Sequence, residues 1–270
     1  MTIAIGILAT DGVVLAADTQ TGIPDYLKVG QGKVSITVSR ADQAPMGHRS
    51  FAISGAGSAG YLKALHERMS HRTSESDVNF LAFGSLEETV SDSLKKFYRH
   101  HVVPFSCYPP NERPDFWLIM GAQQGPFRFL WETEKNTLIQ RRDFATVGAG
   151  AMYARILLSR IYSHDMDYKT AALLAAYAVF HVKEHVDGCG HDTDIAILTE
   201  GLPQFLDRPR VRELEDVFRE YEATETNALR YALGHGHTSD LIALVDKIRK
   251  RASGIIEAGL QYPQLPTDDQ

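Results

Sequence analysis

Cysteine is scarce in this chain: among 270 residues only Cys107 and Cys189 occur, in unrelated contexts. That excludes a disulfide framework and fits a reducing compartment. Long apolar runs are missing too, since none approaches the roughly 20 residues that span a bilayer. The opening stretch "MTIAIGILATDG" is apolar, but it has no positively charged leader and is broken by Thr10 and Asp11, so it is not a secretory signal. There is no basic block, and 28 Lys and Arg are outnumbered by 34 Asp and Glu for a net charge of −6. Such a surface does not neutralise phosphates, so nucleic acid and membrane are set aside as partners and a cytoplasmic protein is expected. What is abundant is core material: 44% of the residues are hydrophobic, which is ample for a packed interior and argues against disorder.

The order of patterns bounds the architecture. Residues 2–8 and 13–18 are β-rich runs flanking the turn signal "TDG", a predicted hairpin. A third strand is predicted over 33–39, where Val34, Ile36 and Val38 alternate with polar residues. After a polar loop, "SFAISGAG" reads as a strand ending in glycines, and Tyr61, Leu62, Leu65 and Met69 then fall on one helical face. Ser85 followed by Glu88 resembles a capping box opening a second helix. "CYPPNERP" punctuates the middle, and strands follow in "DFWLIMGA", "PFRFLWET" and "TLIQRRDFATVG". Two helices, a strand at "TDIAILTEG" and a long helical tail complete the chain. Segregated runs of strands and helices predict an α+β layered fold, with helices stacked on packed sheets.

Thr2 raises the chemical question. An N-terminal threonine carries its own general base, because an α-amino group with a pKa of about 7.7–8.0 can take the hydroxyl proton. In the gene product Met1 acylates that amine, so the site exists only once Met1 is removed, and a small second side chain such as threonine permits this. Taken alone, Thr2 reads as a β-favouring residue beside a start codon.

It does not stand alone. Thr2, Gly6, "DGVVLAAD" (11–18), Lys33 and the glycine-rich "SGAGSAG" (54–60) follow one another in an order that resembles the β-type subunits of the 20S proteasome and their bacterial relative, the HslV peptidase. "VGAGAMYARILL" (147–158) and "DTDIAILTEG" (192–201) are similar to later family segments. The resemblance implies a four-layer αββα sandwich of the N-terminal-nucleophile hydrolases over residues 1–205, with a helical C-terminal extension over 206–270. It also implies that Thr2 attacks a peptide carbonyl, that Lys33 lowers the pKa of the hydroxyl and the amine, and that Asp18 holds Lys33. Gly57 is the matching backbone donor to the oxyanion. Gly55, two residues earlier, is the position that sets pocket depth, a glycine leaving the pocket open to a large side chain, and Lys63 lines the far wall. Without the motif, Asp18 and Lys33 read as a structural ion pair and the glycines as a plain turn.

The chain also departs from the pattern. Ala149 stands between Gly148 and Gly150 where active subunits carry serine, and no clear Asp-x-x-Ser-Gly follows. "VDGCGHDTD" offers Asp187, His191 and Asp192 as substitutes, with Asp187 preferred from its spacing. His181 and His185 lie at i and i+4 near Cys189 and His191, so zinc is conceivable, but HExxH is absent and the polar end of a helix is the plainer reading. No metal ligand and no required cofactor is assigned. The resemblance adds only a monovalent cation on carbonyls at Thr193, Ala196 and Thr199.

The expected activity is that of a threonine endopeptidase acting on peptide or unfolded protein in a homo-oligomeric, ring-shaped chamber. Whether an ATPase partner feeds it is open. Two other readings compete: a catalytically weak or inactive structural subunit, and an amidase of the same superfamily acting on a small molecule.

Overall fold

The computed structural model describes residues 2–23, 27–39, 49–74, 83–107, 109, 115–232 and 241–261. Strands β1 (Ile3–Leu8) and β2 (Val13–Asp18) form the predicted hairpin. β3 (Gln20–Ile23) and β4 (Leu27–Gly30) pair with each other, and β5 (Val34–Ser39) and β6 (Arg49–Gly57) follow. Next come α1 (Ala59–Ser74), α2 (Phe83–Phe97), β7 (Phe116–Gln124), β8 (Phe127–Glu134), β9 (Thr137–Arg141) and β10 (Phe144–Gly148). The remainder is α3 (Ala151–Ile161), α4 (Tyr168–His185), β11 (Thr193–Leu198), β12 (Gln204–Leu206), α5 (Arg208–Ala232), α6 (Leu241–Gly259) and the two-residue β13 (Leu260–Gln261).

Two antiparallel sheets carry the fold, ordered β10-β1-β2-β11-β12-β13 and β5-β6-β7-β8-β9. Three groups of buried side chains show how they stack. Ile3, Ile5, Ile7, Val14 and Ala16 on one face of the first sheet pack with α4, α5 and α6. Phe51, Ile53, Met120 and Trp131 on the second sheet pack with Leu65 and Met69 of α1 and Leu94 of α2. Between the sheets lie Ala4, Leu15, Ala17, Ala52, Ile119 and Leu130. The layers therefore run helix, sheet, sheet, helix, and the mixed α+β class expected from the sequence is what the chain adopts.

Strand alternation sorts side chains by size. β1 turns its isoleucines to the helices and Ala4 and Gly6 to the other sheet, where a Cβ on Gly6 would lie 2.6 Å from Ile119 and Leu130. Both faces of β1 and β2 are buried, so these strands read as near-continuous apolar runs. Asp167 caps α4, its carboxylate accepting from Thr170 N at 2.8 Å.

Several boundaries differ from the sequence reading. β3, β4, β12 and β13 are too short to have shown a period. "TLIQRRDFATVG" is two strands: the chain leaves one sheet after Arg141 and enters the other at Phe144, a change of partner that periodicity does not report. α2 begins at Phe83, which puts Ser85 inside its first turn instead of ahead of it. The polar loop at 40–48 lies outside the described residues.

Candidate active site

Thr2 enters β1 directly, and its neighbours come from four parts of the chain. Gly148, at the end of β10, pairs with Ile3. Its φ is +104°, and a Cβ there would stand 2.1 Å from the Thr2 carbonyl oxygen, so only glycine lets the two backbones approach. Gly150 caps α3, and a Cβ on it would meet Val182 at 2.2 Å. The "GAG" segment thus wedges Thr2 against the start of a helix.

Lys33 reaches the same point by a fold-back. β3 and β4 pair Gln20 with Gly30, and Gln31 N donates to Thr19 O at 2.8 Å, which returns the chain beside Asp18. Lys33 Nζ donates to Thr2 Oγ1 at 2.7 Å, to Asp18 Oδ1 at 2.9 Å and to the Gln20 carbonyl. Asp18 is fully buried and also accepts from Ile3 N at 3.1 Å and Gly190 N at 3.0 Å. Two backbone donors and one cation satisfy the carboxylate, so it holds the lysine in a fixed place. Burial pushes the Lys33 ammonium below the usual lysine range, and the adjacent Asp18 offsets part of that. A cation poorly solvated by water is a strong electrostatic partner for a hydroxyl losing its proton.

Thr2 lies in the wall of two cavities. One, of about 790 Å³, is bordered by Lys33, Ser54, Leu62, Lys63 and His66. The other, of about 660 Å³, is bordered by Glu132, Arg141, Gly148, Ala149 and Arg155. Gly57, with φ of +116°, borders both. A Cβ on Gly57 would stand 2.2 Å from the Asp115 carbonyl, so glycine is required there by the backbone itself. Lys63 is exposed and lies 4.0 Å from Glu67 on the rim. Burial of His66 in the same wall pushes its pKa down, against a smaller opposing effect of Glu67.

Other expectations change on inspection. Gly55 does not itself open the cavity: a Cβ there would lie 2.4 Å from the Trp117 carbonyl and 2.9 Å from Leu62 Cδ2, so the space it vacates is filled by Leu62. Asp187 is exposed, and Asp192 is held by Arg212 at 2.7 Å. The "VDGCGHDTD" loop instead delivers the Gly190 amide to Asp18 and buries Cys189 near Lys33. Burial pushes the Cys189 thiol up to about 11, Asp18 adding to the effect and Lys33 and the Gly150 amide opposing it. It is a neutral thiol at pH 7 and no rival nucleophile. The available sequence signal was a small side chain between two glycines, two residues after an acid.

The cation implied at Thr193, Ala196 and Thr199 does not fit. Thr193 and Ala196 lie along β11, where three residues of extended chain span roughly 10 Å. Ala196 is paired with Leu15 on one side and Phe205 on the other, so its backbone belongs to the sheet. One ion cannot be shared by carbonyls so placed.

The proteasome subunit family model matches residues 2–198. Among solved structures, a mutant Anbu chain from Hyphomicrobium sp. strain MC1 superposes with a TM-score of 0.66 at 18% identity, covering 89% of this chain and 100% of that one. Anbu, an ancestral beta-subunit, from Yersinia bercovieri gives 0.66 at 12% identity, over 83% of this chain and 96% of its own. The Anbu complex from Pseudomonas aeruginosa, solved as a helical assembly, gives 0.66 at 15% identity, over 85% of this chain and 96% of its own. No match is found among curated proteins.

Proposed function

The chain belongs to the proteasome subunit family, and from that premise we propose that it is a threonine-type endopeptidase with Thr2 as nucleophile once Met1 has been removed. The observation that carries the reading is that Lys33 Nζ touches both Thr2 Oγ1 and Asp18 while Thr2 stands between two cavities. A polypeptide that continues on both sides of its scissile bond needs such a pair of clefts, whereas a small amide needs one. That favours the peptidase over the small-molecule amidase.

In the reaction, the freed α-amine of Thr2 takes the hydroxyl proton as Oγ1 bonds to the carbonyl carbon. Lys33 stabilises the developing alkoxide, and the Gly57 amide donates to the oxyanion. The α-ammonium returns the proton to the leaving amine as the C–N bond breaks, leaving an ester on Thr2. Water, giving its proton to the same α-amine, cleaves the ester and restores the hydroxyl. No metal takes part in these steps.

The enzyme works as a cytoplasmic homo-oligomer in this proposal. Met152 and Ile156, at i and i+4 of α3, are 72% and 53% exposed and make an apolar face for a second copy. A head-to-tail contact closes into a ring or continues as a helix according to its rotation alone, and the Pseudomonas relative was solved in the second form. A second reading, a structural subunit without turnover, is favoured by Ala149 in place of serine.

Intact mass and fluorogenic-peptide hydrolysis on protein from the native host test the proposal. Met1 absent, with hydrolysis falling about 10³-fold or more in Thr2→Ala, is the expected result. Retained Met1, or unchanged hydrolysis in Thr2→Ala, overturns it.

A further inference from the structure

The seam between α4 and α5 holds a cluster that this reaction does not use. His181 and His185 are one turn apart on α4, and Glu222 faces them from α5. Their candidate ligand atoms all lie within 4.8 Å of one another, and His181 Nδ1 is 3.1 Å from Glu222 Oε1. His181 is only 9% exposed, yet neither ring nitrogen completes a hydrogen bond of proper geometry. The rings of Tyr177 and Phe180 pack on it, with centroids at 4.2 and 5.5 Å. A buried imidazole left in that condition is costly, and an ion beside Nδ1 or Nε2 removes the cost.

We propose that His181, His185 and Glu222 bind one divalent transition-metal ion of the zinc class, with water completing a four-coordinate sphere. Two imidazole nitrogens and one carboxylate oxygen suit zinc, cobalt or nickel, whereas calcium and magnesium take oxygen ligands. Ligands at roughly 2.0–2.2 Å from a tetrahedral centre stand about 3.3 Å apart. The His181–Glu222 pair already has that spacing, and the exposed His185, its ring 5.8 Å from that of His181 and 5.6 Å from that of Tyr153, stands on the solvent side where an ion would enter. Glu184 is held by Arg219 at 3.2 Å and Cys189 faces Lys33, so neither is a ligand. His191 sits in the exposed loop with φ of +60°. Because Glu222 belongs to α5, an ion here ties the C-terminal helices to α4. The site is independent of whether Thr2 is catalytic.

The test is titration of the full-length, chelator-treated protein with Co²⁺, read by its visible absorption, followed by displacement with Zn²⁺. We expect one equivalent per chain with the intense band of a tetrahedral site. His185→Ala and Glu222→Gln, both outside the buried core, should each weaken Co²⁺ binding at least tenfold with an unchanged circular dichroism spectrum. Absence of the band in the parent protein overturns the proposal, as does parent-like affinity in either variant. Near-ultraviolet thiolate-to-cobalt charge transfer also overturns it, because it places the ion on Cys107 or Cys189.

Discussion

The Thr2–Lys33–Asp18 cluster and the Thr193–Lys183–Glu215 cluster are built from similar groups. Lys33 donates to Thr2 Oγ1 at 2.7 Å and to Asp18 at 2.9 Å, whereas Lys183 donates to Thr193 Oγ1 at 3.1 Å and to Glu215. All four charged side chains are at most 10% exposed. The clusters are even neighbours, since Thr193 pairs with Asp18 across β11 and β2. They differ in the threonine. Thr193 is buried within a strand, and its hydroxyl already donates to Glu215 at 2.9 Å. Thr2 borders two cavities, and in the proposed reaction its nitrogen serves as the base once Met1 is removed. On the proposed reading, a lysine, a hydroxyl and an acid in contact serve as a structural clamp or a catalytic device depending on access and on a base, not on the contacts themselves.

The sharpest way to break this comparison is to remove each lysine in turn. Lys33→Met should lower peptide hydrolysis about 10³-fold or more in protein that still folds, since the alkoxide loses its cation. Lys183→Met should leave Glu215 buried without its cation and cost about 3 kcal/mol in chemical denaturation, with specific activity of the folded fraction within a few-fold of the parent. Equal loss of activity in both variants would erase the distinction.

Gly148→Ala should act next most strongly. Its positive φ and the 2.1 Å approach to the Thr2 carbonyl force Thr2 to move, at a cost of about 1–3 kcal/mol and with hydrolysis falling about 10²-fold. A parent-like rate would mean that Thr2 need not be held there. Thr193→Val should cost only about 1–2 kcal/mol and leave kcat/KM unchanged, because its hydroxyl has no part in the reaction.

The smallest effect is in pH dependence. Folding pushes the Lys33 pKa below the 10.5 of a free lysine through burial. The unfolded chain therefore keeps this proton to higher pH than the folded one. The burial penalty is fully present below the folded pKa and is relieved as pH rises from that value towards 10.5, so this group's contribution to stability increases there. In the proposed reaction activity should move the other way, since neutral Lys33 no longer stabilises the alkoxide. The alkaline limb of kcat/KM should fall below 10.5, and a limb at or above that value would show that the burial seen here does not govern the lysine.

The residues of the first cluster were picked out beforehand by the resemblance of their motifs to a known family, not by local pattern. Thr2, Asp18 and Lys33 lie within the first 33 residues, on or beside strands whose apolar runs are unmistakable. The Gly55 pocket and Asp187 were not legible, because each depends on what packs beside it. Leu62 from α1 fills the room that Gly55 leaves, and the turn after α4 exposes Asp187 while burying Cys189. The second cluster gave no signal at all. Lys183, Thr193 and Glu215 are an ordinary helix lysine, strand threonine and helix glutamate until three elements meet.

The amino-acid sequence by itself determined the layered α+β architecture and the hairpin that carries Thr2, since apolar period is a local property, while Thr2, Asp18 and Lys33 stood out together only through the resemblance of their motifs to a known family. Only the tertiary structure decided that Lys33 lies against Thr2 Oγ1, that Thr2 has a cavity on either side, and that His181 and His185 meet Glu222 and not Cys189. Those meetings join residues far apart in the chain, and they form only when sheets and helices bury their apolar faces together.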